Sequence, residues 1–87
     1  MLDDVKTYIG IPLAVTVYDT KLEMFIKQAL ARLDKLSLDL TEPSDLVIEY
    51  VCTYCRLHNI SEPSIQWAKM EEERLQELVE TMYYGGV

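Results

Sequence analysis

The sequence predicts an all-α fold, a small four-helix domain packed around one central apolar helix at about residues 45–58. Three observations support this prediction: a long apolar stretch, an amphipathic helical repeat before it, and helix-start signals between the periodic segments. The chain has 87 residues, 49% of them hydrophobic and 26% charged, which is enough for one small core. We therefore expect residues 1–87 to form a single domain.

The central helix is predicted from residues 46–57, LVIEYVCTYCRL, of which nine in twelve are apolar. The exceptions are Glu49, Thr53 and Arg56, whose spacing of four and then three places them, with Asp45, on one stripe of a helix. A strand is less consistent with the pattern, because twelve residues is long for a strand and the polar residues do not alternate. A helix that is apolar on most sides must be covered by several neighbours.

The first helix is predicted at Leu2–Ile9, with Asp3 as its capping residue. Gly10 should end it, since glycine readily adopts the left-handed conformation found after helices, and Pro12 prevents its continuation.

The segment after this helix, residues 11–18 (IPLAVTVY), is unusually apolar for a connection. It has no visible hairpin partner, so two interpretations remain open. The segment either packs on the core as a connector, or contacts a neighbouring subunit. In the second case the contacting side chains would be Leu13, Val15, Val17 and Tyr18.

The second helix is predicted from a capping box, Thr20 with Glu23, followed by apolar residues at helical spacing. This apolar face comprises Leu22, Ile26, Ala29, Leu33 and Leu36.

Two Thr/Ser-Glu-Pro-Ser sequences, at 41–44 and 61–64, predict the starts of the third and fourth helices. The fourth helix should run from about 63 to 83, with an apolar face that includes Ile65, Leu75 and Met82. Residues 82–87, which end in Gly-Gly-Val, are expected to be a frayed tail or a partner contact. We expect the second and fourth helices to pack around the third, with the first at the edge.

The fourth helix also carries a row of acids, Glu71, Glu72, Glu73, Glu77 and Glu80. Consecutive carboxylates point in different directions around a helix, so a solvated face is a better interpretation than a catalytic or metal site.

The net charge of −7 argues against tight nucleic-acid binding, which needs a basic surface at the phosphates. A helix-turn-helix is excluded on similar grounds, because the polar stripe of the third helix offers two acids, Asp45 and Glu49, to the DNA. No stretch has the length of a membrane span, and the acidic N-terminus is unlike a secretion signal.

Cys52, Cys55 and His58 form a C-x-x-C-x-x-H pattern that resembles half of a metal site. On a helix the three side chains diverge, and the sequence has no further cysteine or histidine to complete four ligands. A thioredoxin-like site would need Cys52 at a helix N-terminus rather than in mid-helix. We predict buried, reduced core cysteines. The sequence offers no phosphate loop and no activated nucleophile, so we expect neither an enzyme nor a cofactor.

Three motifs together resemble the head–tail connector, or head-completion, proteins of long-tailed phages and prophages. They are L-D-D-V-K-x-Y-I-G-I at 2–11, L-E-x-F-I-x-x-A at 22–29 and Tyr-Cys-Arg-Leu at 54–57. The resemblance covers about residues 2–60 and includes no catalytic residue. The chain departs from the family at segment 11–18, which is apolar here and usually polar or acidic in the family.

The resemblance implies a structural virion protein that forms a homo-oligomeric ring at the head–tail junction, between portal and tail-side connector proteins. Such a subunit would wait in the host cytoplasm before assembly, and DNA would pass through the ring without specific binding. We hypothesise that Glu72, Glu73, Glu77 and Glu80 face that channel, because carboxylates do not grip phosphates. The alternative is a small cytoplasmic helical adaptor or antitoxin-like regulator that binds one protein; a metal or redox protein is a more remote one.

Overall fold

The computed structural model describes residues 1–36, 45–60 and 63–84, which contain four helices and no strand. The helices are α1 (Leu2–Ile9), α2 (Asp19–Asp34), α3 (Asp45–Asn59) and α4 (Ile65–Tyr84). The predicted all-α fold is confirmed. The first Thr-Glu-Pro-Ser sequence, at 41–44, lies outside the described residues, as do the end of the tail at 85–87 and residues 61–62 of the second Ser-Glu-Pro-Ser sequence.

Helix α3 is the centre of the fold and packs against each of the other three helices. Eight of its fifteen residues are buried: Val47, Tyr50, Val51, Cys52, Thr53, Tyr54, Cys55 and Leu57. These positions surround most of the helix axis, so one neighbour could not cover them all. The predicted arrangement, with α2 and α4 around α3 and α1 beside it, is confirmed.

Helix α2 buries the predicted stripe of Leu22, Ile26, Ala29 and Leu33 against α3. Leu36 lies beyond the end of the helix and is exposed, so its placement in the core was wrong. The capping box was also wrong. The helix begins at Asp19 with Tyr18 as its N-cap and no side-chain cap bond, which puts Thr20 inside the first turn.

Helix α1 has the predicted bounds and ends at Gly10, whose φ of 94° is the left-handed conformation that favours glycine. The Gly10 N–H donates to the Lys6 carbonyl at 2.9 Å. Asp3 was predicted as the cap, but the N-cap is Met1 and Asp3 makes no capping bond. Its carboxylate lies in the first turn, where it interacts favourably with the helix dipole.

Helix α4 begins after Ser64, whose Oγ accepts a hydrogen bond from the Trp67 N–H at 3.1 Å, as expected of a capping hydroxyl. Leu75 and Met82 are buried as predicted, but Ile65 at the first position is 90% exposed. The helix continues to Tyr84, and so residues 82–84 are helical rather than part of a tail.

Glu71 is an exception to the predicted solvated face of acids. It faces α3 and is buried, with one carboxylate oxygen 2.5 Å from the Arg56 guanidinium. Arg56 lies 5.4 Å from the Tyr8 ring and 5.6 Å from the Trp67 ring, so it connects α1, α3 and α4. An aromatic face attracts a guanidinium, which holds Arg56 in place for the pair.

The polar stripe of α3 follows the same seam and is less exposed than predicted. Thr53 is fully buried, with its hydroxyl 3.5 Å from that of Tyr8. Glu49 pairs with Arg74 of α4. Glu49, Thr53 and Arg56 therefore join α3 to α1 and α4, whereas Asp45 at the start of the helix is exposed.

Replacing Glu71 with Ala should destabilise the fold by about 1 to 3 kcal/mol, because it leaves a half-buried guanidinium without its carboxylate. Glu72→Ala, at the exposed neighbouring position, is the matched control and should change the unfolding free energy by less than about 0.5 kcal/mol. Urea denaturation of both variants measures the difference. Equal effects would show that the Arg56–Glu71 pair does not stabilise the fold.

Candidate assembly surfaces

Lys6 of α1 is a buried cation, with only 2% of its surface exposed. Its ammonium donates to the Leu13 carbonyl at 3.0 Å, to the Val15 carbonyl at 2.6 Å and to a carboxylate oxygen of Asp19 at 2.8 Å. An ammonium has three donors, and each has an acceptor here. Burial of this charge is therefore compensated by one ion pair and two hydrogen bonds to the backbone.

These bonds give segment 11–18 its shape. The chain makes two tight turns, closed by Val15 N–H to Pro12 O at 3.0 Å and by Asp19 N–H to Thr16 O at 3.1 Å. Two carbonyls point inward to Lys6, and the apolar side chains are left on the outside. Those side chains are Leu13, Val15, Val17 and Tyr18, and Val17 is 78% exposed.

The interpretation of segment 11–18 as a connector packed on the core is thus wrong for these four side chains. Within the segment, Ile11 packs against the core. Lys6 is the physical reason, because its ammonium occupies the inner side of the turns. Contact with a neighbouring subunit stays a prediction.

Lys6 was missed from the sequence because a lysine in a short amphipathic helix is usually solvated. A signal was present, however. An apolar connection without a strand partner has backbone carbonyls that need donors, and a lysine one turn before Gly10 is within reach of them.

A second candidate surface lies on α4, where Glu72, Glu73, Glu77 and Glu80 are all exposed. We call these four residues the acidic face. Glu73, Glu77 and Glu80 follow the spacing of four and three that aligns side chains along one side of a helix. The solvated character predicted for them is confirmed, whereas their orientation toward a channel stays a prediction.

Cys52 and Cys55 are free and buried, which confirms the prediction of core cysteines. Unlike the two cysteines, His58 is exposed, and the centre of its ring lies 4.1 Å from that of the Tyr54 ring. In the described ranges 1–36, 45–60 and 63–84, no group of three or more His, Cys, Asp or Glu residues is arranged to hold a metal ion.

Burial controls the chemistry of the two thiols. Desolvation raises the pKa of Cys52 to about 11, and the nearby carboxylates of Asp4 and Glu49 act in the same direction. Desolvation, together with the neighbouring Cys52, raises the pKa of Cys55 to about 12. Both thiols are therefore protonated at neutral pH and are poor nucleophiles.

The described helices include none that is both long and apolar enough to cross a membrane.

A sequence model of the family described as "Phage connector protein" matches residues 1–85. The match includes all four helices, and with them segment 11–18 and the acidic face. Neither the curated proteins nor the solved structures with which the chain was compared gave a match.

Replacing Lys6 with Met should remove the three donors while keeping a similar side-chain length. We expect a loss of about 1 to 3 kcal/mol in unfolding free energy, since two carbonyls and a carboxylate lose their donor. Amide hydrogen exchange in segment 11–18 should also accelerate. Lys27→Met, at an exposed site on α2, is the control and should leave both quantities unchanged. Unaltered exchange in the Lys6 variant would contradict this account of the segment.

The raised thiol pKa values predict a loss of stability at alkaline pH. Below the ordinary thiol value of 9.0 both the folded and unfolded states keep their protons, so the cysteines add no pH dependence. Between pH 9 and about 11 the unfolded thiols ionise and the folded ones do not, so the free energy of unfolding falls. Denaturant titrations from pH 8 to 11 should show a shallower fall for a Cys52→Ala, Cys55→Ala variant. The same slope in both proteins would contradict the prediction.

Proposed function

The chain belongs to the phage connector protein family, and from that premise we propose that it is a head-completion subunit that forms a homo-oligomeric ring between portal and tail. Membership confirms the resemblance drawn from residues 2–60 and gives the chain a structural, virion-associated role. Such a role requires contact with other virion proteins rather than catalysis. The ring, its place at the junction and its neighbours are our proposal.

The observation that carries the proposal is the exposed apolar surface of segment 11–18 on its rigid support. Leu13, Val15, Val17 and Tyr18 are exposed apolar side chains clustered within six residues of one connection, a pattern that marks interaction sites. Lys6 already fixes the backbone beneath them. Binding would therefore order few additional residues, which favours affinity.

A ring requires that each subunit present two different surfaces, one to each neighbour, in a head-to-tail contact that closes on itself. Segment 11–18 supplies one such surface. It lies on a connection between α1 and α2, apart from the acidic face on α4. A copy can thus use the segment for assembly and leave α4 free for another task.

In this proposal the acidic face lines the channel. Glu73 and Glu77 would repel the phosphates of DNA, so the duplex could move through the ring without being held. A ring structure with these carboxylates on its outer surface would overturn this assignment.

Multi-angle light scattering across a concentration series, first alone and then with the cognate portal, tests the proposal. We expect a ring-sized species, either alone or only with portal. A chain that stays monomeric and ignores the portal at every concentration would contradict the proposed function and favour an adaptor that binds a different protein.

Val17→Asp should abolish that species, because it places a charge in the proposed apolar contact. The fold should be unaffected, since Val17 is highly exposed. Ile65→Asp is the matched control, because it makes the same kind of change at an apolar residue of α4 that is also highly exposed. If both variants assemble like the wild type, segment 11–18 is not the contact.

A further inference from the structure

A groove of about 510 Å³ lies between α1 and the N-terminal half of α3. Four carboxylates line it: Asp3, Asp4, Asp45 and Glu49. We call these carboxylates the rim. The less polar lining residues, which we call the floor, include Tyr8, Ile48 and Cys52. Asp4 is paired with the N-terminal ammonium at 3.8 Å and Glu49 with Arg74, so the net negative charge of the groove comes from Asp3 and Asp45.

The chemistry of the groove indicates the occupant that would fit it. An occupant would need apolar side chains for the floor and a cation for the rim. Such a cation follows segment 11–18 closely in the sequence. Tyr18 is exposed, and Lys21 comes three residues later on the exposed side of α2, where its ammonium lies 5.8 Å from the centre of the Phe25 ring.

We propose that the groove receives segment 11–18 and Lys21 of a neighbouring copy. This inference rests on the proposed ring and names the two surfaces that would join its subunits. The apolar side chains would cover Tyr8 and Ile48, and the Lys21 ammonium would lie among the rim carboxylates. Complementary charge of this kind favours encounter and fixes the register of the contact.

The segment cannot fill its own groove without breaking the bonds that shape it. Lys6 holds the Leu13 and Val15 carbonyls from one face of α1. The groove lies along another face of the same helix, formed by positions 3, 4, 7 and 8. Segment 11–18 can therefore enter this groove only in a second molecule.

This separation of the two surfaces also sets the symmetry. The segment and the groove are different surfaces, so their contact is head-to-tail rather than two-fold. Such a contact leaves a free groove on one molecule and a free segment on the other, and it can repeat around a ring. Helix α1 contributes to both surfaces, because Lys6 binds the backbone of the segment and positions 3, 4, 7 and 8 line the groove.

The first test mixes two variants that each lack one surface. Thr7→Trp fills the groove from an exposed position, and Val17→Asp disables the segment. Each variant alone should lose the ring-sized species. An equimolar mixture should give a 1:1 dimer that grows no further, because one intact segment meets one intact groove. Sedimentation velocity distinguishes the dimer from monomers and rings.

A charge exchange supplies a second readout. Asp45→Lys and Lys21→Glu should each weaken assembly, and the two changes in one chain should restore it. High salt should weaken the wild-type contact, as expected for charges at a solvated rim. Normal assembly of Thr7→Trp would overturn the inference while leaving the proposed ring intact. Failure of the double charge exchange to restore assembly would have the same consequence.

Cysteine crosslinking detects the contact between copies even when its affinity is too weak for a stable complex. The native thiols are buried and protonated at neutral pH, so introduced exposed cysteines should react in their place. We expect a disulfide when Val17→Cys is mixed with Thr7→Cys, and its loss when Ile65→Cys replaces Val17→Cys. If Val17→Cys crosslinks with itself as readily, the segments meet each other and the groove is not the receptor. A wild type that never assembles, even with portal, contradicts the proposed function itself.

Discussion

Helix α3 has apolar residues around most of its axis, so one neighbouring helix cannot cover it. This requirement determines how the other helices pack. Helices α1, α2 and α4 each take one side of it. The few polar groups of α3 are then left at a seam, where Arg56 and Thr53 contact partners on α4 and α1. The need to cover α3 thus uses one side of every helix and decides which surfaces stay outside.

Among those outer surfaces, segment 11–18 depends on a single buried cation. Lys6 draws two backbone carbonyls inward and so presents four apolar side chains to solvent. A cation under a connection is costly unless every donor is used, and Asp19 completes the set. The result is a firm apolar surface whose use we assign to assembly. The family match and the geometry of the segment thereby support the same structural role.

Much of the fold could be predicted from local sequence. The stripe of α2 and the central place of α3 follow from spacing alone, and Gly10 ends α1 for a conformational reason. The predictions that failed share a different cause. Glu71 has its partner 15 residues away, and Lys6 finds its acceptors 7 to 13 residues further on. Charge pattern along one helix cannot reveal such pairings, which depend on how the helices pack. Of the candidate site, the identity of the four apolar residues was predicted, whereas their outward presentation required the contacts of Lys6.

The most direct measurement is a cryo-electron microscopy structure of the chain assembled with the portal protein that we propose as its partner. Our account predicts a ring in which segment 11–18 of each copy is covered by the α1–α3 groove of the next, with the Lys6 hydrogen bonds intact. A ring in which Val17 and Tyr18 face solvent, and another surface joins the copies, would contradict it.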